Sequence, residues 1–240
     1  AFGYITVLQV ADGQFYSLSI LAPVLSFIGV IWLANLYNFM DGMDGLAATQ
    51  TIIASITLGF WFWQAGDDHI ALSCLILAAA SYGFLLWNWQ PAKIFMGDVG
   101  SITIGAFFAM LIIYGSTRYQ LPVISFVLLL GVFVFDASLT IVHRLVKREK
   151  IWLPHRSHLY QRLANAGMQH AKIVVALTVL MLVCSMISSI TVLDRDKLLP
   201  AMTFELVLLV IYAALVLLVE ARARPRTAKH HRSADTKPDQ

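Results

Sequence analysis

Charge is what this sequence lacks most. Only 13% of its 240 residues are Asp, Glu, Lys or Arg, against 59% that are hydrophobic, where an ordinary soluble domain carries roughly 25% charged residues. So little charge cannot cover a water-facing surface, which excludes a soluble globular domain. Cysteine is nearly absent: Cys74 and Cys184 lie far apart inside apolar runs. That rules out a disulfide framework or a cysteine metal pair, and both read as small buried hydrophobes. Residues 1–17 contain neither the basic segment nor the cleavage pattern of a secretory signal. The chain starts at Ala1 rather than Met and reads as the later part of a longer protein.

What the sequence has in abundance is long apolar runs. A helix needs about 20 apolar residues to cross roughly 30 Å of hydrocarbon. Seven stretches approach that length: 18–36, 46–64, 70–89, 99–114, 121–142, 173–193 and 198–219, with Asp136 and Glu205 the only charges inside them. Backbone groups in lipid must be satisfied within the segment, and the runs are too long for barrel strands, so helices are expected. The fold class is therefore all-α, a polytopic transmembrane bundle of about seven spans over residues 1–219. Residues 220–240, rich in Arg, Lys and His, are expected to form a disordered basic tail near anionic headgroups.

With alternating spans, one side receives the loops around 37–45, 90–98 and 143–172 together with the tail. That side holds 14 of the 17 Lys and Arg residues, the other only Arg118, Arg195 and Lys197. The positive-inside rule makes the basic side cytoplasmic.

Three polar motifs fall on that side. The first runs from Asn35 through Asn38, Asp41, Gly42, Asp44 and Gly45 to Ala47. Residues three apart are neighbours on near-helical backbone, and glycine permits a sharp turn or a close ligand. Helix capping explains one Asp here, but not two Asn and two Asp together. The second runs from Asn88 through Lys93 to Phe95-Met96-Gly97-Asp98-Val99-Gly100-Ser101, where Asp98 precedes a helix start and suits either a cap or a hard cation. In isolation Lys93 reads as an interfacial anchor and Asn88 as a surface amide. The third is a basic loop with His155-Arg156-Ser157-His158-Leu159-Tyr160-Gln161-Arg162-Leu163, whose donors suit phosphate oxygens. Asp136, an intramembrane carboxylate, is a functional candidate by default, or a cap for a polar cluster between helices. Asp67-Asp68 mimics a metal pair but falls on the opposite side.

These motifs resemble the polyprenyl-phosphate N-acetylhexosamine-1-phosphate transferase family, glycosyltransferase family 4. Asn35 to Ala47 is similar to its N-A-x-N-x-x-D-G-x-D-G-L-A signature, with Leu36 for Ala. Phe95 to Ser101, followed by Ile104-Gly105, is similar to F-M-G-D-x-G-S-x-x-L-G, and His155 to Leu163 resembles the family's histidine loop. The resemblance implies an enzyme of the bacterial inner membrane that moves a sugar-1-phosphate from a UDP-sugar to a polyprenyl phosphate such as undecaprenyl phosphate, with Mg²⁺ as cofactor. By the same likeness Asp98 is a metal ligand, and Asp41, Asp44, Asp98, His155 and His158 form the catalytic set. Asn35, Asn38, Asn88, Lys93 and Arg156 bind substrate. The implied partners are UDP-sugar, the lipid phosphate and the bilayer, with a homodimer as the assembly to test and no nucleic acid. Members acting on the peptidoglycan precursor carry consecutive histidines. The His155-Arg156-Ser157-His158 sequence instead resembles enzymes that start O-antigen or other surface glycans.

Two competing expectations remain from the residues: a transporter or channel built around Asp136, and a scaffold fragment that needs a separate N-terminal half. The family carries an adjacent Asp-Asp pair upstream of the Asn-rich signature, and only 34 residues precede Asn35 here. The purified 240-residue chain is accordingly expected to lack half an active site and show no sugar-1-phosphate transfer. A radiolabel transfer assay checks this, and robust turnover by the chain alone contradicts it.

Overall fold

The structure, a computed structural model, describes residues 7–11, 14–17, 19–149 and 157–234. A short antiparallel hairpin of β1 (Val7–Ala11) and β2 (Gln14–Ser17) precedes the helices. These are α1 (Ala22–Met40), α2 (Leu46–Gln64), α3 (Asp68–Asn88), α4 (Gly97–Arg118), α5 (Val123–Leu129), α6 (Gly131–Val146), α7 (Leu159–Asn165), α8 (His170–Leu193) and α9 (Leu198–Ala234). The last helix continues through the boundary expected at Val219. His155 and Arg156 lie outside the described residues.

Six helices among the described residues are long and apolar enough to cross a membrane: α1, α2, α3, α4, α8 and the first part of α9. Their surfaces carry large apolar side chains facing outward, such as Ile76, Leu86 and Trp63. An apolar surface all round a helix belongs in lipid rather than in water. This is the architecture of a multi-pass membrane protein. At its centre lies α2, whose apolar window is 78% buried.

The fifth expected stretch, 121–142, is not one straight span. It breaks between α5 and α6 with a bend of 85°. Gly131 opens α6, and a Cβ at that position would collide with the Glu205 carboxyl from α9. The break thus coincides with a position where only glycine leaves room for the Glu205 carboxyl. The bent pair still traverses the bundle: Phe126 packs against Trp61, and Phe133 lies 5.2 Å from the Tyr37 ring.

Contacts at the two ends fix the parity of the crossings. At one end the Ala171 amide donates to Gln90 Oε1 at 2.6 Å, and Arg162 of α7 pairs with Glu220 of α9. At the other, Tyr114 and Tyr119 hydroxyls donate to Asp67 at 2.7 and 2.9 Å, and Arg195 donates to the Gln120 carbonyl at 3.0 Å. Asp67 also accepts from the Ile70 amide, so it is a helix cap, far from the motif end. The loops 41–45 and 89–96, helix α7 and the start of α8 all share the first end.

A close helix contact joins α1 to α4. A Cβ on Gly105 would meet the Ala34 Cα, the Leu33 carbonyl and the Tyr37 Cβ at 2.8 Å, so small residues let these two backbones approach. Overpacking a well-filled contact costs about 1–3 kcal/mol. Gly105→Leu should therefore lower the melting temperature in detergent. Gly29→Ala, where a Cβ meets nothing within 4 Å, should leave it unchanged or raise it slightly, as a thermal melt of both variants will show.

Candidate active site

The reversals at the motif end build one polar cleft. Asn38, Asp41, Gly42, Met43, Asp44, Asn88, Phe95, Met96, Gly97 and Asp98 line it, and it encloses about 350 Å³. Two motifs that are more than forty residues apart in sequence thus meet across one space.

Each side chain is held by the backbone geometry around it. Asn38 sits in the last turn of α1, and its Oδ1 accepts from Ser101 Oγ on α4 at 2.7 Å. That bond lies one turn from Gly105, where the backbones of α1 and α4 approach closely. Asp41 caps the C-terminus of α1, its amide donating to the Asn38 carbonyl. Gly45, at φ +79°, turns the chain into α2 in a conformation that glycine adopts without strain. Its amide donates to Asn88 Oδ1 at 2.9 Å, while Asn88 Nδ2 donates to the Ile94 carbonyl at 2.8 Å. Asp44 Oδ2 accepts from the Ala92 amide at 3.1 Å. Asn88 and Asp44 therefore stitch the loop 41–45 to the loop 89–96, and Asn88 spends both ends of its amide doing so.

Asp98 sits in the first turn of α4, exposed to the cleft. A carboxylate is favoured there by the unpaired amides and the helix dipole. Across the cleft, burial, with the negative charge of Asp98 as a second cause, pushes the Asp41 carboxyl up to about 7. Two carboxylates that repel across a polar space match the donor set of a hard cation. Mg²⁺ binds through one or two carboxylates with substrate phosphates and waters completing its shell. Asp98 and Asp41 fit that requirement, although no cluster of three or more His, Cys, Asp or Glu side chains occurs among the described residues.

The structure does not gather every candidate here. Asn35 points away on the exposed face of α1, its amide donating to the Ile31 carbonyl within its own helix. Lys93 holds its ammonium 5.1 Å over the Trp87 ring and does not line the cleft. His158 is buried, 3% exposed, at the start of α7. It enters the site through scaffolding: its Nδ1 lies 3.0 Å from Asp136 Oδ1, and its ring stacks on Tyr160.

Tyr160 and Ser101 were not singled out from sequence; Asp136 was, as an ion site or as a cap between helices. Asp136 anchors α7, accepting the Leu159 and Tyr160 amides at 3.0 and 3.2 Å. A carboxylate so engaged has a capping role, which takes away the basis for an ion path through it. Tyr160 donates to the Phe39 carbonyl at 3.3 Å, and Gly42 faces its hydroxyl so closely that a Cβ would collide. Ser101 closes on Asn38. The spacing of His158 and Gln161, with the His158 amide donating to Gln161 Oε1, is a capping-box pattern that marks the start of α7 in the sequence itself.

Replacing Asn88 by Asp sets a carboxylate against the Ile94 carbonyl. Losing such a buried bond costs about 1–3 kcal/mol. Asn88→Asp should therefore lower the melting temperature and speed proteolysis in residues 41–45 and 89–96, measured by mass spectrometry of the fragments. Equal cleavage rates would deny Asn88 its clamping role.

The family model for glycosyl transferase family 4 matches residues 2–116, which contain every residue of the cleft. Among curated proteins, the chain is 34% identical over 158 residues to the "Probable undecaprenyl-phosphate N-acetylglucosaminyl 1-phosphate transferase" of Bacillus subtilis, covering 65% of this chain and 44% of that protein. It is 32% identical over 142 residues to the phospho-N-acetylmuramoyl-pentapeptide-transferase of Moorella thermoacetica, covering 59% of this chain and 43% of the relative. A protein of that same name from Streptococcus agalactiae is 36% identical over 126 residues, 52% of this chain and 34% of its own length. The chain spans less than half the length of these relatives. Over residues 2–116, which carry the two motifs that meet in the cleft, the chain is similar to glycosyl transferase family 4.

Proposed function

We propose that the complete protein transfers an N-acetylhexosamine-1-phosphate from a UDP-sugar to a polyprenyl phosphate at the cytoplasmic face of a bacterial inner membrane. UMP is released, and the lipid-linked sugar starts a surface glycan such as O-antigen. The observation that carries this reading is the meeting of Asn38, Asp41, Asp44 and Asp98 in one polar cleft at the end of an apolar bundle. A lipid phosphate can reach such a place without leaving the bilayer, and a nucleotide sugar without entering it. The names of the relatives, one an undecaprenyl-phosphate N-acetylglucosaminyl 1-phosphate transferase and the other a phospho-N-acetylmuramoyl-pentapeptide-transferase, support the same chemistry.

In the transfer, an oxygen of the lipid phosphate attacks the sugar-bearing phosphorus of the UDP-sugar. The pyrophosphate P–O bond breaks, and its oxygen leaves with UMP. Both reactants are anionic, so the main barrier is their mutual repulsion. Mg²⁺ when bound supplies the charge that offsets it. Asp98 and Asp41 would hold that cation. Asn38, fixed by Ser101, and Asp44, fixed by the Ala92 amide, present polar atoms in set positions to the nucleotide sugar. The basic loop with His155 and Arg156 adds donors for phosphate oxygens. Preset groups of this kind contribute more than mobile ones because they need no reorganisation during the reaction.

The complete protein in membranes should release UMP when given a UDP-sugar, polyprenyl phosphate and Mg²⁺. Asp98→Asn should lower that rate about 1,000-fold, the equivalent of about 4 kcal/mol of lost transition-state stabilisation. It should leave the melting temperature unchanged, because the position is exposed. Wild-type rates in Asp98→Asn would remove it from the metal site, and substrate flux without UMP release would overturn the reaction.

A further inference from the structure

Asp136 lies at the junction of three elements, and no residue of the proposed reaction explains it. It is fully buried on α6, 0% exposed. Its Oδ1 lies 3.0 Å from His158 Nδ1 and accepts from the Leu159 amide at 3.0 Å and from Thr140 Oγ1 at 3.3 Å; its Oδ2 accepts from the Tyr160 amide at 3.2 Å. A buried carboxylate is stable only when its lone pairs are used in this way. These bonds set the first turn of α7. From that turn Tyr160, also 0% exposed, stacks on His158 at 5.6 Å with 20° between the rings. Its hydroxyl donates to the Phe39 carbonyl and accepts from Gln161 Nε2 at 3.2 Å. It also presses on Gly42, where there is no room for a Cβ. Burial, with the charges of Asp136 and Asp41 nearby, drives the Tyr160 phenol up, which keeps it a neutral donor to the Phe39 carbonyl.

The chain of contacts runs from α6 through α7 to the loop between α1 and α2, the loop that carries Asp41 and Asp44. We propose that Asp136 is a positioning residue of the active site: through His158 and Tyr160 it holds the Asp41–Asp44 loop in place over the cleft. The role of α7 is then to brace this loop, with His158 as the strut. The proposal rests, for its kinetic consequence, on the transfer reaction proposed above. Its structural consequence does not.

Two measurements separate these levels. In the 240-residue chain, Met43→Cys reports on the loop, since Met43 lines the cleft and is 7% exposed while Cys74 and Cys184 are both fully buried. Maleimide labelling at position 43 should be slow, and Asp136→Asn should speed it about tenfold, the scale of one charge-assisted hydrogen bond. Asp136→Glu should restore part of the protection. Tyr160→Phe, which deletes only the hydroxyl contacts, should speed labelling in the same direction. It decides the question if Asp136→Asn fails to fold. In the complete protein Asp136→Asn should raise KM for UDP-sugar while leaving KM for polyprenyl phosphate unchanged. A general loss of folded protein would lower the maximal rate and move neither KM.

Unchanged labelling in a folded Asp136→Asn or Tyr160→Phe variant overturns the proposal, as does a loss of rate with both KM values intact. If the complete wild-type protein releases no UMP, the reading of function fails, and the labelling experiment still decides the role of Asp136.

Discussion

Every polar group in a bundle of apolar helices has to find its partner inside the protein or at an end of it, because hydrocarbon offers none. This constraint decides where chemistry can occur in the chain. Helices α1 to α4, α8 and α9 satisfy their backbones internally, and their outward faces are Leu, Ile, Val, Phe and Trp. Most Asn and Asp side chains of the motifs fall at the reversals, while Asp136, inside α6, finds its partners in α7. Because the crossings alternate, the reversals after α1 and α3 and the helix α7 come to the same end. The cleft follows from that parity.

Within the end, side chains bind loops to one another more than they face open space. Asn88, Asp44, Ser101 and Asp136 each bridge elements distant in sequence. A carboxylate or amide used in this way raises the order of its neighbours and leaves fewer groups for a ligand. Among the described residues, the cleft carboxylates that make no such bridge are Asp98, exposed at the start of α4, and Asp41, whose raised proton affinity comes from burial and from Asp98 opposite. Structural bonds and unrelieved repulsion thus divide the four aspartates of the end: Asp44 and Asp136 hold loops, while Asp41 and Asp98 face the space that a cation and phosphates would fill.

The helices and their order were legible in the apolar runs, since a span needs only length and hydropathy. The side on which the motifs gather was legible from counting crossings. The break inside 121–142 was not, because hydropathy is continuous across it and the neighbour that crowds Gly131, Glu205, comes from a helix some seventy residues away. The same holds for the clamps. Asn88 reads in sequence as a substrate group, and only the fold reveals that both ends of its amide are occupied. Asn35 matches a signature position yet turns to its own helix, while Asn38 bonds to Ser101 of α4. Asp136 read in sequence as either an ion site or a cap between helices, and only the fold, which brings the first turn of α7 onto its carboxylate, decides for the cap.

The account stands on the shared placement of the loops 89–96 and 41–45 with α7, and this can be measured in native membranes. Phe95→Cys and Asn165→Cys at exposed positions of that end, and Gln120→Cys at the opposite end, can be treated with a membrane-impermeant maleimide in intact cells and in inverted vesicles. Positions 95 and 165 should react in inverted vesicles alone, and position 120 in intact cells alone. Reaction of 95 and 165 from opposite faces would mean that the cleft and its brace cannot form.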